Sequence, residues 1–108
     1  MITTHVLDTA AGQPAVGMSV VLAFHKGSEW IRVASGHTDN HGRLTKWTDD
    51  MEIGPGVYRL TFDTGTYHRD VQSFFPEVQV IFKLREADEH VHVPLLVSPF
   101  GYTTYRGT

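Results

Sequence analysis

Short stretches in which apolar and polar residues alternate, each closed by a turn cluster, recur down this chain. They leave few folds open to it. The clearest is Val57-Tyr-Arg-Leu-Thr-Phe62. In an extended backbone Val57, Arg59 and Thr61 share one face, and Tyr58, Leu60 and Phe62 share the other. The same pattern predicts strands over residues 2–7, 18–24, 30–34, 43–47, 78–84 and 90–97, with a last short one over 102–106. Turn chemistry separates them. Gly12 and Pro14 break residues 8–15, Lys26-Gly27-Ser28 reads as a hairpin, and residues 36–42 and 48–56 form polar loops. Residues 66–74 lack alternation and have room for two turns of helix, with Thr64 as cap and Pro76 as stop. Seven or eight short strands and one short helix predict an antiparallel β-sandwich. No repeat, low-complexity tract or linker divides the chain, so residues 1–108 form one domain.

Composition narrows the function classes. Hydrophobic residues make up 41% and charged residues 19%, enough apolar surface for a core and too little charge for disorder. A formal charge of −3 gives no basic footprint for nucleic acid. Without cysteine there is no disulfide or thiolate chemistry. The first residues lack the basic-then-apolar order of a signal peptide, and no run is long enough to cross a bilayer. The expected compartment is the cytoplasm, or the periplasm if a leader has been removed. What stands out is histidine, with seven in 108 residues. Its unperturbed pKa lies near neutrality, so it serves both proton transfer and metal binding.

His90 and His92 alternate with Val91 and Val93, which puts both imidazoles on one strand face. A metal site needs three or four ligands and this spacing supplies two, so a solvated face accounts for the pair equally well. His5 shares its face with Thr3 and Leu7. His37 and His41 flank a polar loop, and His25 and His68 adjoin Lys26 and Arg69; surface exposure accounts for all four. Arg43 follows Gly42 at a loop exit, where a guanidinium can clamp a planar anion or simply start a surface strand. Arg106 has the same two readings, and a third as an ion pair pinning the tail. That tail, rich in proline, aromatics and glycine, has the chemistry of a placed segment. These residues alone do not name a reaction.

The stretch from Thr3 to Ala15 and the stretch from His92 to Thr108, which ends Tyr105-Arg106-Gly107-Thr108, resemble the transthyretin-like family. Thr38-Asp-Asn-His-Gly-Arg43 and Phe74-Phe-Pro-Glu-Val78 resemble family stretches in the same order. The likeness is closest to the branch that hydrolyses 5-hydroxyisourate. It implies a transthyretin-like sandwich of two four-stranded sheets with a short helix. It further implies a homotetramer, a dimer of dimers, with active sites where dimers meet and with no metal or organic cofactor. The family's active-site positions fall on His5, Arg43, His92 and Thr108, and its closing tetrapeptide adds Tyr105, Arg106 and Gly107 to the substrate-binding set. The usual last serine is threonine here, which keeps the hydroxyl and adds a methyl. The resemblance implies water attack on a cyclic amide carbonyl, assisted by histidine. Which imidazole is the base stays open. The alternatives are a non-catalytic small-ligand carrier on the same scaffold and a histidine-rich metal-binding or adhesive module.

Overall fold

The computed structural model describes residues 1–108. Nine strands and one helical turn follow in the order β1 (Ile2–Asp8), β2 (Gln13–Pro14), β3 (Ser19–Lys26), β4 (Glu29–His37), β5 (Arg43–Leu44), β6 (Gly56–Phe62), α1 (Thr64–Tyr67), β7 (Val78–Leu84), β8 (Val91–Ser98) and β9 (Gly101–Thr104). They make two facing sheets. One runs β4-β3-β6-β7, and all its pairs are antiparallel. The other runs β2-β1-β8-β9, with β5 also paired to β1. The first sheet matches the expected four strands. The second holds five, because the turn residues Gln13 and Pro14 pair with Asp8 and Leu7.

One pairing departs from the antiparallel expectation. β1 and β8 run parallel over seven residues, with Thr3 opposite His92 and His5 opposite Pro94. The two end segments of the chain therefore form the middle of one sheet. Their alternation divides the labour. Ile2, Thr4 and Val6 on β1 and Val91, Val93, Leu95 and Val97 on β8 are buried against the other sheet. That sheet answers with Val20, Leu22, Leu60 and Phe62, all fully buried. The opposite face of β1 and β8 carries Thr3, His5, His92 and Pro94. The core thus uses one side of these strands and leaves the other side free for chemistry.

Two expectations are corrected. The helix is one turn, not two, and Asp63 caps it by accepting from the Thr66 amide (3.1 Å). Thr64 instead turns inward and donates to the Phe75 carbonyl (2.7 Å). The Gly65 amide bonds the Pro76 carbonyl (2.8 Å), so the chain must fold back and cannot extend the helix. His68, expected at the surface, is buried at 6% exposure beside Tyr67.

Candidate active site

The loop before Arg43 is shaped residue by residue. Thr38 is buried, donates to the Ala15 carbonyl (2.7 Å) and accepts from the Met18 amide (2.9 Å). Asp39 Oδ1 accepts from the amides of His41 (2.8 Å) and Arg43 (2.9 Å), which closes a tight turn. Gly42 takes φ +75°, and its carbonyl accepts from the Val6 amide (2.7 Å). A side chain there would strike the Val6 carbonyl, so only glycine lets the loop lie this close to β1. Arg43 emerges directly opposite His5 on the neighbouring strand.

The histidine side is built on β8. Thr3 Oγ1 lies 2.8 Å from His92 Nδ1 and 3.1 Å from His90 Nε2. The Gly107 amide donates to the His92 carbonyl (2.8 Å), which lays the tail along β8. Trp47 Nε1 donates to the Ile2 carbonyl (2.8 Å) and fixes the segment after β5. These elements enclose an open cleft of about 370 Å³, lined by Thr3, Arg43, Thr45, Lys46, Asp49, His90, His92 and Thr108. His5 stands at its side, beside Arg43.

The electrostatics tie the set together. Burial, then the Arg43 guanidinium, holds His5 below the ordinary imidazole value. The same two causes, in that order, depress His92, with smaller contributions from His5 and His90. Both shifts favour the neutral ring, the form that accepts a proton. The Asp39 carboxylate sits below its usual range because the Arg43 and His41 amides bond it. No three His, Cys, Asp or Glu side chains come together as metal ligands.

Arg43, His92 and Thr108 thus meet in one cleft, with His5 next to Arg43 and Gly107 behind His92. Tyr105 and Arg106 do not join them. They line a separate groove of about 220 Å³ with Val80, Phe82 and Val93, between the edges of the two sheets. Arg106 Nη2 pairs with Glu89 Oε2 at 2.9 Å, so this arginine pins the tail.

A sequence model of the HIUase/Transthyretin family matches residues 2–107. The chain belongs to this family. Within the HIUase/Transthyretin family, the 5-hydroxyisourate hydrolase of Salmonella typhimurium is 42% identical over 110 residues, covering 100% of this chain and 81% of that protein. The structure of Klebsiella pneumoniae 5-hydroxyisourate hydrolase superimposes with a TM-score of 0.86 at 32% identity, covering 99% of this chain and 98% of that one. Transthyretin from Sparus aurata superimposes with a TM-score of 0.90 at 30% identity, over 98% and 95% of the two chains. The fold is therefore shared by hydrolases and transthyretin alike, and fold alone does not decide between them.

Five cleft residues, Met1, Thr3, Thr45, Lys46 and Asp49, escaped the sequence reading. Thr3 had a signal, since alternation puts it on the His5 face. Lys46 and Asp49 had none, because the strand expected over 43–47 ends at Leu44 and the chain then turns.

Proposed function

We propose that this chain hydrolyses 5-hydroxyisourate to 2-oxo-4-hydroxy-4-carboxy-5-ureidoimidazoline. The observation that carries the reading is that Arg43 and His92 share one cleft, with His5 directly opposite Arg43 on the neighbouring strand. Similarity to 5-hydroxyisourate hydrolases along the whole chain supports it. Opening the ring requires water to add to an amide-like carbonyl. One group must take the water's proton, and another must steady the oxyanion as it forms. A neutral imidazole suits the first task, which typically contributes on the order of 100- to 10,000-fold. Arg43 suits the second and also holds the planar ring through paired hydrogen bonds.

In this reading His5 or His92 takes the water's proton, and the other imidazole orients the water or gives a proton to the leaving nitrogen. Thr108 closes the cleft beside them. Arg106, paired with Glu89, steadies the tail. The working form is a homotetramer, a dimer of dimers. Exposed apolar side chains near the outer strands of both sheets favour such assembly, with Ile81 60%, Phe100 63% and Tyr105 57% exposed.

The test generates 5-hydroxyisourate with urate oxidase and follows its ultraviolet decay after adding this protein. Faster decay that a chelator leaves unchanged is the expected result. Binding without acceleration would replace the hydrolase with a carrier, and loss of activity with chelator would favour a metal enzyme.

A further inference from the structure

One buried hydroxyl joins both histidines of the cleft. Thr3 is 4% exposed, and its Oγ1 has two partners, His92 Nδ1 at 2.8 Å and His90 Nε2 at 3.1 Å. A hydroxyl carries one proton and two lone pairs, so it can donate to only one of these nitrogens, and its proton is used between the rings only when it accepts from the other. Two arrangements satisfy both bonds and use that proton. In the first, Thr3 donates to His92 Nδ1 and His90 donates from Nε2. His92 then carries its proton on Nε2, facing away from Thr3, and that nitrogen is no base. In the second, His92 donates from Nδ1 and Thr3 donates to His90 Nε2. His92 Nε2 is then bare and can accept a proton.

The choice is coupled to charge. When His92 gains a proton, Nδ1–H must donate, so Thr3 must turn its own proton toward His90. His90 can accept it only through a bare Nε2, which requires a neutral ring. When His90 is protonated, its Nε2–H donates to Thr3 Oγ1. The Thr3 proton then finds a partner between the rings only at His92 Nδ1, which is the unproductive tautomer. Protonating both rings would leave the Thr3 proton without a partner between them in a buried place, which disfavours that state.

We propose that Thr3 and His90 are positioning residues: the Thr3 hydroxyl, bonded on its other side to His90 Nε2, holds His92 in the tautomer whose Nε2 is bare. The inference rests on the hydrolase reading for its catalytic meaning, but the hydrogen-bond claim stands apart from it. It explains why a solvent-exposed histidine sits two residues from a half-buried one on the same strand face. An imidazole is oriented by the group bonded to its second nitrogen, and here that group is a hydroxyl instead of a carboxylate. The charged and titratable neighbours are Arg43 from β5, His5 from β1, Lys46 and Asp49 from the segment after β5, and the Met1 amino group. None of them is hydrogen-bonded to Thr3 Oγ1.

The test reads tautomers directly. Long-range proton–nitrogen spectra of 15N-labelled protein should show His92 protonated at Nδ1 and bare at Nε2 at the pH of maximal turnover. Thr3→Val keeps the shape and removes the hydroxyl; it should shift His92 toward Nε2–H. It should also lower kcat by roughly 10-fold or more with little change in KM, because a misassigned tautomer of a catalytic imidazole can cost up to about 10⁴. Thr3→Ser should restore both the spectrum and most of the rate. His90→Ala removes the acceptor and should move the spectrum as Thr3→Val does. A wild-type His92 found as Nε2–H overturns the inference even if the enzyme is active. So does Thr3→Val with kcat and spectrum unchanged. A wild-type protein that fails to turn over 5-hydroxyisourate removes the hydrolase reading, and the spectrum, then taken at pH 7, still decides the hydrogen-bond claim.

Discussion

Replacing Gly107 with alanine would set a single methyl carbon against the ring of His92. A Cβ at Gly107 lies 2.5 Å from His92 Cδ2, 3.0 Å from Pro94 Cγ and 3.2 Å from Pro94 Cδ. Carbon atoms rest at about 3.5–4.0 Å, so the imidazole must retreat by about 1 Å or the tail must lift. Gly107 does not occupy the left-handed region, so alanine meets no backbone strain and the whole effect is contact. A misplacement of about 1 Å at a reacting group can cost on the order of 100-fold. The stability cost is smaller, because the tail lies at a half-exposed edge and can relieve the overlap. Overpacking of this kind costs about 1–3 kcal/mol, and the low end applies here. At about 4–8 °C per kcal/mol for a domain near this size, Tm should fall by only a few degrees. Gly107→Ala is therefore expected to lose roughly 100-fold in kcat/KM while remaining folded by circular dichroism. The rate is read from ultraviolet decay of freshly generated 5-hydroxyisourate. A variant with full activity would refute the claim that the tail sets the position of His92.

Two further predictions concern stability. Both His5 and His92 have folded-state pKa values below the unfolded 6.5, so the unfolded chain binds protons first as pH falls. Their stabilising contribution is full above about pH 6.5 and declines as pH drops through the depressed values; urea midpoints should fall over that window, and His92→Gln should flatten the slope. The second concerns Tyr67, whose hydroxyl donates to Asp8 Oδ2 at 2.7 Å and whose pKa is pushed up to about 12 by burial and by that carboxylate. Burial acts to raise the Asp8 pKa, but bonds from the Ala11 amide and Tyr67 outweigh it and hold the carboxyl ionised. Tyr67→Phe removes one of those donors and should cost about 1.5–3 kcal/mol in urea denaturation, with turnover unchanged, since the cleft lies at the other end of β1.

Much of this molecule is legible in the sequence wherever period-two alternation is strong. Residues 57–62 and 78–84 gave their strands and faces directly, and Lys26-Gly27-Ser28 gave its hairpin. Alternation also put His90 with His92 and Thr3 with His5. What it could not give is which strands are neighbours. The parallel pairing of β1 with β8 joins residues about ninety apart, and no local signal encodes it; without it Thr3 and His92 have no reason to meet. The helix misreading has a similar origin. Residues 66–74 carry no strand pattern, but the return of the chain onto Gly65 through Pro76 is a tertiary contact that overrides local preference. His68 was misread because a neighbouring arginine suggests surface, whereas the turn after Tyr67 points the imidazole inward. Tyr105 and Arg106 were grouped with Thr108 by the resemblance. Yet the tail turns away from the cleft at those two residues, and Glu89 gives Arg106 a partner on that side.

The division of faces explains how one scaffold serves unlike purposes. On β1 and β8 the core takes Ile2, Thr4, Val6, Val91, Val93 and Leu95, and any change there alters packing density and costs stability. Thr3, His5 and His92 occupy the other face, where substitution leaves the core untouched. Evolution can therefore rewrite that face without refolding the sandwich, provided Gly42 still lets Arg43 emerge beside His5 and Gly107 still lets the tail lie on β8. Those two glycines link fold to chemistry: Gly42 lets the loop before Arg43 lie against the Val6 carbonyl, Gly107 clears the space beside the His92 ring, and neither contributes an atom to the reaction. A face with His5, Arg43 and His92 can move protons and hold an anion. The same strands with apolar residues at those three positions would present only an apolar wall, unable to move a proton.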